Sequence, residues 1–250
     1  MSFLIPKIYV VGMGPGNREN MTLRCIDALE DSDVIIGYSK YIELLQDYYN
    51  HKTLISSPMK KEVDRCIETI NIALSDEGKT VSLVSSGDSG IYGMAGVLLE
   101  TADRMGFDGE IEIIPGVTAL SAAASALGAP VVHDFAVISL SDLLTPLGLI
   151  EKRLRLAAEG DFVICLYNPK SKKRTDYVDM AVDVILKHRS GKTPVGIVRN
   201  ACREDESCTI CTLDTLKEQH VDMFSTIIIG NSQSYESLGK IITPRGYKFD

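Results

Sequence analysis

Gly12-Met13-Gly14-Pro15-Gly16-Asn17 and Ser85-Ser86-Gly87-Asp88-Ser89-Gly90-Ile91-Tyr92-Gly93-Met94 are the stretches best suited to hold a ligand. Glycine lets a backbone turn tightly and lets a bound molecule approach the main chain. Each stretch follows a short apolar run, the place where α/β sheets bind ligands. Taken alone, the first loop suits a plain strand-to-helix turn equally well. Two such loops at corresponding ends of one sheet favour a cleft. The first loop departs from the dinucleotide fingerprint G-x-G-x-x-G, because Asn17 holds the third glycine position. The second strand also ends in Gly37-Tyr38, where a ribose-binding acid is required. A nicotinamide or flavin site is disfavoured. Ser190-Gly191-Lys192-Thr193 is no nucleoside triphosphate site either, since Leu186 stands where a phosphate loop needs glycine.

Cys202, Cys208 and Cys211 supply three clustered thiols where a closed zinc or iron–sulfur site takes four ligands. On a strand, their offset points Cys208 and Cys211 to opposite faces. No metal is expected, and lone buried thiols are. His51, His188 and His220 lie in polar surroundings and are expected at the surface, which leaves His133 beside Asp134 as an acid–base candidate. Lys170-x-Lys172-Lys173-Arg174 follows the strand end Leu166-Tyr167-Asn168-Pro169. A basic run is ordinarily a solvated loop, yet its place at a strand end also suits anion recognition.

Strand and helix patterns must position these loops. Lys7–Met13, Asp33–Gly37, Thr80–Ser85 and Glu110–Ile114 read as strands. Between them Met21–Asp31, Lys61–Leu74 and a stretch ending near Met105 carry helical spacing. This order predicts an α/β fold with a mostly parallel sheet covered by helices. The second half opens with an Ala-rich helix, Ala119–Leu127, with further helices at Leu149–Ala158 and Tyr177–His188. Its strands are expected at Phe135–Leu140, Phe162–Leu166, Val195–Val198, Ser207–Thr212 and Thr226–Ile229, the last two in antiparallel pairing. Two α/β domains follow, residues 1–116 and 117–250.

Composition narrows the partners. Acidic residues outnumber basic ones, for a net charge of −8, and Trp is absent. General affinity for nucleic acid or anionic membranes is disfavoured. No apolar run approaches the roughly 20 residues that span a bilayer, and the amino-terminal run is too short for a signal peptide. Cys25, Cys66 and Cys165 sit alone in regular patterns, as suits reduced thiols. The expectation is a cytoplasmic, soluble protein.

At this point the motifs resemble a known family, the tetrapyrrole methylases. The general resemblance is carried by GMGPGNRENMT (Gly12–Thr22), SSGDSGIYGMAG (Ser85–Gly96) and IPGVTALSAAASALGAP (Ile114–Pro130). Within the family the chain is similar to the precorrin-3B or cobalt-factor III carbon-17 methyltransferases. That similarity rests on HDFAVISLSDLLTP (His133–Pro146), DFVICLYNPKSKKR (Asp161–Arg174) and ITPRGY (Ile242–Tyr247). Leu147 departs from the pattern, which has Trp there, while Ile150-Glu151-Lys152-Arg153 is kept.

The resemblance implies two α/β domains forming a trough, with S-adenosylmethionine as methyl donor and a homodimer as the assembly. It implies that Pro15 and the loop of Gly87, Asp88, Ser89, Ile91 and Tyr92 border the methionine end of the donor. Thr118 and Ala119 would contact it from a helix start. Leu166, Tyr167, Asn200, Ala201, Thr226, Ile227 and Ile228 would frame the adenosine, mainly through backbone groups. The implied substrate is a cobalamin-pathway tetrapyrrole whose carboxylate arms Lys170, Lys172, Arg174 and Arg199 would orient, with Arg245 as a further candidate. The carbon-17 subgroup is associated with ring contraction, for which His133, Asp142 and Tyr167 are the proton-transfer candidates. Other readings are a methylase of the same fold acting at another corrin position or on a non-tetrapyrrole substrate, and a non-catalytic tetrapyrrole carrier. The LYNPKSKKR block disfavours the former and the two intact donor loops the latter.

Overall fold

Lys7–Gly12 (β1) is almost wholly buried, with Ile8 and Val10 facing one core and Tyr9 and Val11 another. A strand apolar on both faces needs cover on both, which helices flanking a parallel sheet supply. The computed structural model describes residues 5–75, 78–171 and 173–248. The chain divides into two units, Met1–Ala119 and Leu120–Asp250.

In the first unit β1 is followed by α1 (Leu23–Asp31), β2 (Val34–Tyr38), α2 (Ser39–Tyr49), β3 (Thr53–Ser57), α3 (Glu62–Ala73), β4 (Thr80–Ser85), α4 (Ala95–Met105) and β5 (Glu110–Ile114). The strands form one sheet in the order β3-β2-β4-β1-β5, every pairing parallel. One face packs on α3 and α4 through Ile70 and Leu98, the other on α1 and α2 through Leu29 and Leu45. The Thr22 hydroxyl accepts the Cys25 N–H at 3.1 Å, so α1 starts at Leu23 rather than at Met21. Gly106 closes α4 with a left-handed φ of 64°.

The strand order fixes where a ligand belongs. β1 and β4 are neighbours, yet the chain leaves β1 toward β2 on one side and leaves β4 toward β5 on the other. The two connections lead to helices on opposite faces of the sheet, which marks the strand carboxyl ends here as the switch point where open α/β sheets bind ligands. Both glycine loops lie there.

The second unit runs α5 (Ala119–Leu127), β6 (Gly128–Ala129), β7 (Phe135–Ser139), α6 (Leu147–Glu159), β8 (Val163–Tyr167), α7 (Tyr177–Ile185), β9 (Pro194–Arg199), β10 (Ser207–Thr212), β11 (Ser225–Ile229), β12 (Tyr235–Ser237) and β13 (Lys240–Ile242). Its main sheet has the order β10-β9-β11-β8-β7, and β12, β13 and β6 form a small second sheet. β7, β8 and β9 run one way; β10 and β11 run against them. The expected antiparallel pairing of β10 with β11 is corrected, because each pairs antiparallel with β9, which lies between them. α6 and α7 cover one face, and Leu120, Ala123 and Leu127 of α5 pack on Val163, Cys165 and Val198 on the other. Residues 39–49 and 53–57 form a helix and a strand that the sequence reading left unassigned.

Candidate active site

In the first unit the loops after β1, β4 and β5 lock together through their main chains. Gly14 N–H donates to Gly87 O at 3.0 Å, and Gly87 N–H donates to Gly14 O at 2.7 Å. Gly87 takes a φ of 71°, which L side chains rarely adopt. A Cβ on Gly116 would sit 2.2 Å from Gly87 O and 2.4 Å from Gly12 O, so only glycine allows this approach. Asp88 ties the arrangement together. Its Oδ1 accepts the N–H groups of Gly90 (2.8 Å) and Ile91 (3.1 Å), and its Oδ2 accepts that of Gly116 (2.9 Å). Ser89 is fully buried, its hydroxyl donating to Ile114 O at 2.9 Å. Ile91 and Tyr92 stand exposed beside this frame, Tyr92 with a φ of 54°. Pro15 is buried, and Thr118 and Ala119 are half-buried.

In the second unit Ser139, Tyr167 and Arg199 close β7, β8 and β9 at one end of the sheet, where β10 and β11 begin. Side chains, including charged ones, build this rim. Arg199 Nε donates to Asp222 Oδ2 at 2.7 Å, and its Nη1 meets Asp205 Oδ2 at 3.2 Å. Asn200, with a φ of 51°, donates from its amide to the same Asp205 oxygen at 2.7 Å. The Tyr177 hydroxyl donates to Asp142 Oδ2 at 2.7 Å, and Arg174 Nη1 lies 3.6 Å from Asp142 Oδ1. The Tyr167 hydroxyl accepts the Leu120 N–H at 2.6 Å. Beyond Asp142 the loop exposes Leu143 and, at 98%, Leu144.

Residues 7–217 match the family model described as Tetrapyrrole (Corrin/Porphyrin) Methylases. The chain belongs to this family. The methylase is 46% identical over 238 residues to the protein named "Probable cobalt-factor III C(17)-methyltransferase" of Salmonella typhimurium (strain LT2), covering 95% of this chain and 98% of that one. It is 44% identical to the "Cobalt-factor III methyltransferase" of Priestia megaterium, covering 97% of this chain and 45% of that longer protein. The crystal structure of the methyltransferase CobJ superposes with a TM-score of 0.89 at 32% identity, covering 95% of this chain and 99% of that one.

The methylase brings some expected residues together and separates others. Leu166, Tyr167, Asn200, Ala201, Thr226, Asp142, Lys170 and Arg174 all fall at or beside the rim of the second unit. Lys172 lies outside the described residues. His133 precedes β7, at the opposite end of the sheet. Six residues of strand, at about 3.3 Å each, put it on the order of 20 Å from the level of Tyr167. There it lines a cavity of about 300 Å³ with Phe162, Asn231, Gln233 and Arg245. His133 and Arg245 therefore lie apart from the rim.

The expected roles are narrowed too. Two carboxylates, Asp205 and Asp222, face Arg199 in this structure. Burial opposes ionisation of Asp222, but Arg199, the Phe224 N–H and the Ser225 hydroxyl outweigh it and hold the carboxyl below its ordinary range. Asp142 is also held low, first by the Tyr177 hydroxyl and also by Arg174, so at neutral pH it is ionised and has no proton to donate. Ile227 and Ile228 are fully buried within β11, which is laddered to β9 and β8. Thr226 lies where the β8 ladder has already ended. Among the thiols, Cys25, Cys66 and Cys165 are buried, and burial pushes Cys66 up to about 11. Cys208 is exposed and Cys202 and Cys211 are half-buried, so the expectation of buried thiols fails for these three. Among the described residues no group of three or more His, Cys, Asp or Glu is placed to share a metal ion. Tyr177 and the exposed Leu143–Leu144 pair were missed from the sequence; the doubled leucine beside an acid was the available signal.

Proposed function

We propose that this methylase transfers a methyl group from S-adenosylmethionine to carbon 17 of a cobalamin-pathway tetrapyrrole, cobalt-factor III or precorrin-3B, with ring contraction. The 46% identity to the Salmonella relative along nearly the whole chain carries this reading. The first unit fits the donor, because Gly12, Gly87 and Gly116 leave a side-chain-free frame at the sheet's switch point. The donor supplies an activated sulfonium methyl, so the protein needs no strong nucleophile of its own.

This chain's residues then have four tasks. Pro15 and Gly87–Tyr92 hold the methionine end, Asp88 acting through the backbone it organises. Thr118 and Ala119 offer N–H groups to its carboxylate at the start of α5. Leu166, Tyr167, Asn200, Ala201 and the Thr226–Ile228 segment frame the adenosine. Lys170, Lys172 and Arg174 orient the substrate's carboxylate arms, and Leu143 and Leu144 meet its apolar face. Alignment of carbon, methyl and sulfur lowers such barriers by roughly 7–11 kcal/mol in favourable cases. For ring contraction the proton-transfer candidates are His133, Tyr167 and Asp142, the last held ionised by Tyr177 and Arg174. The same reading carries a cytoplasmic homodimer, and the three buried thiols suit a reducing compartment.

An anaerobic single-turnover reaction with S-adenosylmethionine and either substrate, followed by mass spectrometry, tests this. One added methyl on the cobalt form alone assigns the cobalt-early substrate, and one on the metal-free form assigns precorrin-3B. No added methyl on either, with the donor bound, would sink the carbon-17 reading.

A further inference from the structure

Tyr167 stands at the end of β8 with its hydroxyl 2.6 Å from the Leu120 nitrogen. Leu120 is the second residue of α5, and first-turn N–H groups have no partner inside their own helix. The Leu120 side chain is buried against the face of the sheet that carries Val163 and Cys165, so the first turn cannot swing toward solvent to hydrate that group. A buried N–H left without an acceptor costs about 1–3 kcal/mol. The hydroxyl that removes this cost comes from a strand residue 47 positions away.

We propose that Tyr167 is a positioning residue, holding the first turn of α5 in the geometry in which Thr118 and Ala119 receive the methyl donor. This rests on the donor assignment given above. The Leu120 N–H is consumed by the phenol oxygen, so the donor's carboxylate meets the neighbouring N–H groups and not this one. Tyr167 acts on donor affinity through the helix start, while Asp142 acts on the substrate.

The test is Tyr167→Phe, which removes one oxygen and keeps the ring. Three readouts are expected. Affinity for S-adenosylhomocysteine, by calorimetry, falls about five- to tenfold. KM for S-adenosylmethionine rises by a similar factor, while kcat at saturation stays within twofold and its pH profile keeps its shape. Amide hydrogen exchange at Leu120, slow in the wild type without ligand, becomes fast in the variant. Unchanged affinity with a collapsed kcat, or a lost limb of the pH profile, overturns the proposal in favour of a proton-transfer role. Fast exchange at Leu120 in the ligand-free wild type overturns it without any variant, which covers the case of a variant that does not fold. Absence of S-adenosylhomocysteine binding by the wild type would instead defeat the donor assignment.

Discussion

The glycine frame of the first unit and the rim of the second solve the same problem with different materials. Both sit at the carboxyl ends of parallel strands, and both must hold loops in fixed geometry. The first uses main chain against main chain: the Gly14–Gly87 pair, the Gly116 approach, and Asp88 collecting three backbone N–H groups. The second uses side chains, several of them charged: Arg199 between Asp205 and Asp222, Tyr177 with Arg174 on Asp142, and Tyr167 on α5. Backbone packing is short-ranged and tolerates no added atom. Ion pairs near the surface tolerate change and respond to salt and pH. Shape governs the glycine frame, and charge tunes the rim.

The largest effect is expected from Gly116→Ala. The new Cβ would press on two backbone oxygens that are themselves fixed, and overpacking of this kind costs about 3 kcal/mol. For a chain of this size that lowers Tm by about 6–12 °C, with S-adenosylhomocysteine binding lost. A variant with native Tm and native affinity would remove the basis for the contrast.

Asp88→Asn comes next. One of the two acceptor oxygens becomes an NH₂ group facing an N–H, at a cost of about 1–3 kcal/mol. Ligand affinity should fall about tenfold, and equally at 50 mM and 500 mM salt, about the range over which screening becomes strong. A loss that disappears at high salt would show that charge, rather than backbone order, matters in the first unit.

The smallest effect belongs to Asp222→Asn. Asp205 still faces Arg199, so the loss should be below about 1 kcal/mol and should shrink with salt. Acid sharpens the comparison. The Asp222 carboxyl is held low in the fold, so its stabilisation is present above its ordinary range and is lost as pH falls through the lowered value. The variant should therefore flatten the acid limb of a stability–pH curve. An identical acid limb in wild type and variant would remove Asp222 from the rim's charge balance.

The glycine frame was legible in the sequence because glycine runs after apolar strands announce themselves. What Asp88 does was not, since its third donor, Gly116, arrives from another strand. The partners of Arg199 were hidden for the same reason: Asp205 and Asp222 face it only once β9 is paired with β10 and β11. Tyr177 was invisible as a partner of Asp142 until α7 packed beside the β7 loop. The place of His133 was readable, because it precedes its strand and so lies at the end away from the rim. Residues 39–49 carried a readable period in Ile42, Leu45 and Tyr49, which line the buried face of α2.

The meeting of Gly12, Gly87 and Gly116 has a consequence for how the molecule is made. These three positions are separated by 75 and 29 residues of chain (87 − 12 and 116 − 87) and belong to strands adjacent only in the finished sheet. A nascent chain that has emerged as far as β4 has both glycine loops but lacks the third wall. Closing loops of this length is entropically slow, and the close approach rewards it only when β5 docks. The glycine frame is thus among the last parts of the first unit to mature, and a ribosome paused before residue 116 holds a chain with its signature motifs and no frame. Stalled-chain ligand capture should therefore switch on abruptly with length, rather than growing as each motif emerges.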